Sequence, residues 1–239
     1  MNKPRKVVVV TGASQGIGAA VVAVVAAFRK LGHCVVATSR SIQPCDDEQV
    51  LSIAGDIGDR DTARRVISAG VARFGRIDTL VNNAGIHIGK PFTEHTADDY
   101  TAVMNVNMAG FYHITQLAIA EMEKQASGHV VSVTASIDQV AISGVHTVLA
   151  ALTKGGINAA TKSLAIEYAR KGIRVNAVAP GNIDTPMHAP AIHELLGSFN
   201  PIGRLGKTGD VADAILFLDS APFITGEILH VDGGQSAGH

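Results

Sequence analysis

Cysteine is scarce in this chain: only Cys34 and Cys45 occur among 239 residues. Cys34 lies in an apolar, strand-like run and Cys45 in a polar stretch. With no second pair and no ligand-like spacing, neither a disulfide framework nor a thiolate metal centre is expected. The ten histidines are scattered and none forms a His-x-x-x-His pair, so no metal site is expected from them. An excess of charge is also lacking. Twenty basic residues against 21 acidic ones leave a formal charge of −1, which gives no broad pull towards nucleic acid or acidic membranes. Long apolar runs are absent, and "VVVV" (Val7 to Val10) is far too short to span a bilayer. The basic start "MNKPRK" is followed by no signal-peptide hydrophobic region or small-residue cleavage site, so a cytoplasmic location is expected. What is present is a chain 46% hydrophobic and 17% charged, which excludes a disordered or highly charged protein. Its length suits one α/β domain, or at most two small ones.

Short apolar runs alternate with longer amphipathic ones throughout. "KVVVVTG", "HCVVATS", "IDTLVNN", "HVVSVTA", "RVNAVAP" and "ILHVDG" read as strands. Helices are predicted over Gly16 to Leu31, at "TARRVISAGVARFG", around Ala97 to Asn107 and Ala109 to Gln125, over Val148 to Lys171, and at "GDVADAILFLDS". Continuous apolar strands alternating with helices imply a parallel sheet covered on both faces. No linker or compositional change divides the chain, so residues 1–239 read as one doubly wound α/β domain. The segment from Asn182 to Gly206 departs from this pattern, with three prolines, three glycines, two histidines (His188 and His193) and only a short helical pattern at "APAIHELLGSF". A connection this long in a compact domain points to a lid or binding loop, here a substrate loop at about 182–206.

In "VVVVTGASQGIGAA", Gly12, Gly16 and Gly18 stand between a strand and a helix. Glycine there permits a tight turn, lets backbone N–H groups approach a pyrophosphate, and lets the helix pack close to the sheet. The strand before and the helix after supply the context that this dinucleotide fingerprint requires. The spacing Thr-Gly-x-x-x-Gly-Ile-Gly resembles that of the short-chain dehydrogenase/reductase family. Further matches follow in the family's order: "NNAG" (Asn82 to Gly85), "NVNMAG" with Asn107, "TAS" ending at Ser136, Lys154, "RVNAVAPGNIDTPM" and "ITGEILHVDGG". The resemblance spans essentially the whole chain. It implies a single-domain Rossmann fold with a seven-stranded parallel sheet, and a nicotinamide cofactor. The cofactor-binding positions it implies are Gly12, Ser14, Gln15, Gly16, Ile17, Gly18, Asn83, Ala84, Gly85, Lys154, Pro180, Gly181, Ile183 and Thr185. Asp56 matches the position that touches the adenine ring, with Ile57 beside it. An acidic residue closing the second strand would bind the adenosine 2′-hydroxyl and repel a 2′-phosphate. This chain has Ser39 and Arg40 there, a hydroxyl and a guanidinium that suit a phosphate. NADP(H) is favoured, although Gln15 stands where many NADP-dependent relatives carry a second basic residue, and NAD(H) stays open.

For catalysis the resemblance implies a tyrosine that exchanges the substrate proton. A lysine four residues later binds the nicotinamide ribose, a serine polarises the substrate oxygen, and an asparagine holds a relay water. Asn107, Ser136 and Lys154 match these positions. The tyrosine position falls on Ala150, or on Leu149 if the register slips by one, and no tyrosine occurs between Tyr112 and Tyr168. Among substitute proton carriers, His146 is four residues before Ala150 and shares its face if the helix already runs there. Asp138, two residues after Ser136, either faces the pocket or forms a turn with Gln139. The leading expectation is an oxidoreductase transferring hydride to or from a small alcohol or carbonyl, with atypical acid–base chemistry. A cofactor-binding pseudoenzyme with a regulatory or scaffolding role is the rival, and a lyase or isomerase on the same scaffold is a third reading. The family's tetramers and the small, apolar faces of "AGFYHITQLAIAEM" and "INAATKSLAIEYA" lead to the expectation of a homotetramer.

Overall fold

The computed structural model describes residues 5–13, 18–185 and 193–238, and for 18–22 the backbone only. Seven strands form one all-parallel sheet: β1 (Val7–Thr11), β2 (Cys34–Ser39), β3 (Val50–Ala54), β4 (Thr79–Asn82), β5 (Gly128–Val133), β6 (Ile173–Pro180) and β7 (Ile228–Val231), in the order β3-β2-β1-β4-β5-β6-β7. The strand order reverses between β1 and β4. In an open parallel sheet such a switch point leaves a crevice at the carboxyl ends of the strands.

Strand periodicity divides the core. Val7, Val9 and Val36 point to one face, where they meet Ala63, Val66 and Ile67 of α2 (Arg60–Phe74), Ile114, Ala118 and Met122 of α4 (Gly110–Gln125), and Ala165 of α5 (Val148–Tyr168). Val8, Val10, Val35 and Val131 point to the other, against Val24 and Phe28 of α1 (Gly18–Lys30) and Val211, Ile215 and Leu218 of α7 (Thr208–Ser220). Successive side chains of a strand face opposite ways, so an unbroken valine run is what a sheet covered twice requires. Strand β3, "VLSIA", is not among the runs expected as strands above; it lies at the sheet edge and is only partly buried along its length. No helix among the described residues is long and apolar enough to cross a membrane.

The helices predicted around Ala97 to Asn107 and Ala109 to Gln125 are not separate. Helix α3 (Ala97–Val103), opened by a Thr96–Asp99 capping box, runs into α4 through one wide turn over Met104–Ala109, where Gly110 N–H bonds to the carbonyl of Asn105 five residues back. Such π turns interrupt helices frequently at functional sites, and this one carries Asn107. The predicted helix over Val148 to Lys171 is α5 followed by a short tighter turn at Ala169–Lys171. Of the 182–206 segment, Ile183 bridges to Gly206 and a short helix, α6 (His193–Ser198), is formed. His188 lies outside the described residues.

Candidate active site

At the carboxyl end of β1, Gly12 adopts a left-handed conformation (φ 80°) and its N–H bonds to Thr38 O at 2.8 Å. A Cβ there would lie 2.8 Å from Ala84 Cα, closer than side-chain carbons approach a backbone. Glycine is therefore demanded twice, by dihedral angle and by the proximity of the next strand's loop. Thr11 fastens that loop: its Oγ1 accepts from the N–H groups of Asn83 (3.1 Å) and Ala84 (3.0 Å), and its carbonyl accepts from Asn83 Nδ2 (3.2 Å).

A cleft opens beside this junction, lined by Gly12, the 38–41 turn, residues 55–57, residues 84–86 and Val106. It thus brings together Gly12, Ser39, Arg40, Asp56, Ile57, Ala84 and Gly85. Asp56 spends one carboxylate oxygen on Gly58 N–H (2.9 Å), and Ile57 is buried against Gly110. The Ser39 and Thr38 hydroxyls are buried and have no hydrogen-bond partner, and no carboxylate pairs with Arg40 among the described residues. Unsatisfied buried hydroxyls beside an unpaired guanidinium fit a polar, anionic group entering from the cleft. Thr185 Oγ1, beyond β6, is likewise buried and unpartnered. Pro180 and Ile183 are buried, and Gly181 N–H bonds to Val231 O at 3.1 Å. The described part of α1 begins at Gly18, and Ser14, Gln15, Gly16 and Ile17 lie outside the described residues.

Asn107 and Lys154 flank Gly85. A Cβ on that glycine would be 3.3 Å from Lys154 Nζ and 3.4 Å from Asn107 Oδ1. Asn107 is held on three sides: Oδ1 accepts from Ile86 N–H (2.9 Å), and Nδ2 donates to Ile86 O (3.0 Å) and Thr153 Oγ1 (3.1 Å). Lys154 Nζ donates to Val133 O at the end of β5, at 2.8 Å. No carboxylate pairs with it among the described residues, and burial pulls its pKa down to about 8. Ser136, 1% exposed just beyond β5, donates to Gln235 Oε1 at 2.9 Å.

Other candidates are placed differently from their sequence expectation. Helix α5 begins at Val148, so His146 precedes it, exposed, and the shared helical face that its spacing suggested does not arise. Asp138 turns to α5, where Oδ2 accepts from Asn158 Nδ2 at 2.7 Å, while the turn is made by Gln139 N–H and Ser136 O. His193 opens α6, 3.9 Å from Asp184. Ala150, 6% exposed, and Leu149, 4% exposed, are both buried. Two participants have no sequence signal of their own: Thr153 and Gln235 act through partners more than 40 residues away. Thr11, the threonine of the Thr-Gly-x-x-x-Gly-Ile-Gly spacing, likewise acts on a distant loop. Among the described residues no group of His, Cys, Asp or Glu is arranged to hold a metal ion.

A family model described as "Enoyl-(Acyl carrier protein) reductase" matches residues 12–236. The 3-oxoacyl-acyl-carrier-protein reductase FabG of Thermotoga maritima is 37% identical, over 98% of this chain and 99% of its own length. The chain belongs to the short-chain dehydrogenase/reductase family. Another member, L-fucose dehydrogenase of Mus musculus, is also 37% identical, over 98% of this chain and 89% of its own. Among solved structures of the family, ElxO with NADP bound superposes with a TM-score of 0.90 at 32% identity, covering 98% of this chain and all of that one. Thermoplasma acidophilum aldohexose dehydrogenase gives 0.89 at 30% identity, over 98% of this chain and 95% of that one.

Proposed function

We propose that the chain is a cytoplasmic, NADP(H)-preferring oxidoreductase acting on a small alcohol or carbonyl, in which Lys154 replaces a tyrosine phenol as the proton carrier. The observation that carries this reading is Lys154 itself: a buried ammonium with no acidic partner among the described residues, beside Asn107 and Gly85, four residues after an alanine. An ammonium has three N–H bonds, and Val133 O takes one. The other two are available to a ribose hydroxyl and to the substrate oxygen. The relatives support turnover, since they are named as reductases and dehydrogenases, and a purely regulatory role is not favoured.

Bound in the cleft, the nicotinamide supplies or accepts the hydride. Gly12 and the 83–85 loop would hold the cofactor's spine, Asp56 and Ile57 its adenine, and Ser39 with Arg40 a 2′-phosphate. Lys154 would hold the nicotinamide ribose, with Thr185 at the far end. In reduction Lys154 gives a proton to the substrate oxygen, and in oxidation it takes one. Asn107 keeps the segment at Gly85 in place through its two bonds to Ile86. A screen of small ketones, keto esters and aldoses with NADPH, followed at 340 nm, tests the reading. No turnover of any of them, and none in reverse with the alcohols, would refute it.

Arg40→Ala should cost NADP(H) about 10- to 100-fold in affinity while NAD(H) changes little. A hydrogen bond to a charged group contributes about 1.5–3 kcal/mol, and NAD lacks the phosphate that would make it. Calorimetry with both cofactors checks this, and an NAD preference in the unmutated protein would contradict it.

Ala150→Tyr should lower the melting temperature and should not raise the rate. Both Ala150 and Leu149 are packed against their surroundings, and overfilling such a site costs about 1–3 kcal/mol. A faster enzyme with unchanged melting would show that the site accommodates the ring.

The assembly we propose is a homotetramer. Tyr112 on α4, Leu152 and Ile166 on α5, and Phe217 and Phe223 at the β7 side leave large apolar side chains more than half exposed, which association would cover. Light scattering at micromolar concentration should return four times the chain mass; a monomer would contradict it.

A further inference from the structure

Gln235 stands four residues before His239 and is only 2% exposed. A rigid turn holds it there. The Asp232 carboxylate accepts from the N–H groups of Gly234 (3.0 Å) and Ser236 (2.9 Å), and Asp232 O accepts from Gln235 N–H (3.2 Å). Gly233 and Gly234 both have positive φ, and Gly233 O accepts from Ile202 N–H at 3.1 Å, so the turn is tied to the end of the 182–206 segment. The carboxamide then reaches across the carboxyl ends of two strands. Its Oε1 accepts the Ser136 proton beyond β5, and the same oxygen would lie 3.0 Å from a Cβ on Gly181 beyond β6. The amide nitrogen of Gln235 has no protein partner among the described residues.

In this arrangement the Ser136 hydroxyl rests its proton on Gln235 and is free to turn it to a reacting oxygen, while the two N–H bonds of the Gln235 amide stand beside it as further donors. We propose that Gln235 is a substrate-recognition residue, whose amide N–H groups bind an acceptor oxygen other than the reacting one, so that the preferred substrate carries a second oxygen function near its reacting carbon. The proposal rests on the dehydrogenase reading above and adds the substrate class to it.

The test uses full-length protein in complex with NADP+, and reads probe binding by ligand-observed NMR so that it does not depend on turnover. The probes are ethyl acetoacetate, which has a second oxygen function, and cyclohexanone, which has none. Ethyl acetoacetate should bind the unmutated complex more tightly. Both Gln235→Leu and Gln235→Glu should weaken it about tenfold, the worth of one neutral hydrogen bond, while cyclohexanone binding and NADP+ affinity stay within about threefold. The glutamate variant keeps the acceptor for Ser136 but lacks the amide donor, so it separates recognition from packing and serves if the leucine variant does not fold. The proposal is overturned if either variant binds ethyl acetoacetate as the unmutated protein does, if both probes weaken alike, or if the unmutated complex does not prefer ethyl acetoacetate. Failure of the unmutated protein to bind NADP(H) by calorimetry would instead sink the underlying dehydrogenase reading.

Discussion

Lys154→Met should reduce turnover by at least about a hundredfold and leave a protein that melts at a higher temperature. The two effects have one cause. Proton transfer by a positioned group contributes roughly 10²–10⁴ in rate, and methionine fills the same space with nothing to transfer. Burial disfavours the ammonium, and this is what brings the Lys154 pKa to about 8 from 10.5. In the unfolded chain the amine is protonated below 10.5, and in the folded chain only below about 8. Folding therefore carries a penalty that is fully present below pH 8 and disappears as the pH rises towards 10.5. Removing the charge removes that penalty, with a gain of about 1–3 kcal/mol. The pH–rate profile carries the same signature. Reduction needs the ammonium and should fall as pH rises through about 8, whereas oxidation needs the free amine and should rise there. Lys154→Arg keeps a cation that does not titrate in this range and should erase the limb. Turnover by Lys154→Met within about threefold of the unmutated protein would remove Lys154 from the chemistry.

The fold was legible where burial is two-sided. Five of the six strands expected from apolar runs lie inside the sheet, covered on both faces, and the sixth, β7, lies at one edge and is only partly buried. β3, at the other edge, is the short and partly exposed run "VLSIA"; the seventh strand follows only from the family resemblance. The cleft beside Gly12 was legible because glycine and loop spacing encode local backbone geometry, as at Gly12 itself. The rest of the site depends on contacts between distant parts of the chain. The Ser136–Gln235 bond closes over 99 residues, and no local pattern signals it. Asn107 reads as the end of one helix, but its side chain binds the Ile86 backbone and sits in a π turn that joins two helices. His146 illustrates the reverse error. Its spacing from Ala150 suits a helix, yet the helix starts two residues later, after Thr147, whose side chain makes no cap bond. Periodicity gives a helix its face and leaves its first residue uncertain.

Lowering the pH from about 6.5 to 4 should destabilise the protein by roughly 3 kcal/mol through one residue far from the site, His129 on β5. Its ring is 3% exposed and its hydrogen bonds are satisfied only in the neutral form. Nδ1 donates to Asp219 Oδ1 (3.3 Å), while Nε2 accepts from Asn176 Nδ2 (3.0 Å) and lies 3.4 Å from Arg174 Nη1. A proton on Nε2 would face two donors. Burial is the main cause that holds the pKa at about 4 instead of 6.5. Between those values the unfolded chain takes up a proton that the folded chain refuses, so stability is lost as pH falls through that window and levels off below it. At about 1.4 kcal/mol per unit, the gap gives the stated magnitude. For a chain of this size it corresponds to roughly 6–12 °C in melting temperature. Asp219 adds to the loss at lower pH. Burial pushes its carboxyl up, but hydrogen bonds from His129, Lys6 and Thr79 outweigh this and hold it well below the usual range, so its contribution begins to fall once the pH drops below about 3.8 and is lost as the pH falls through its own depressed pKa. His129→Gln keeps a donor and an acceptor but has no proton to take up, and its melting temperature should vary less between pH 6.5 and 4 than that of the unmutated protein. Parallel melting curves for the two proteins across that window would show that acid sensitivity arises elsewhere.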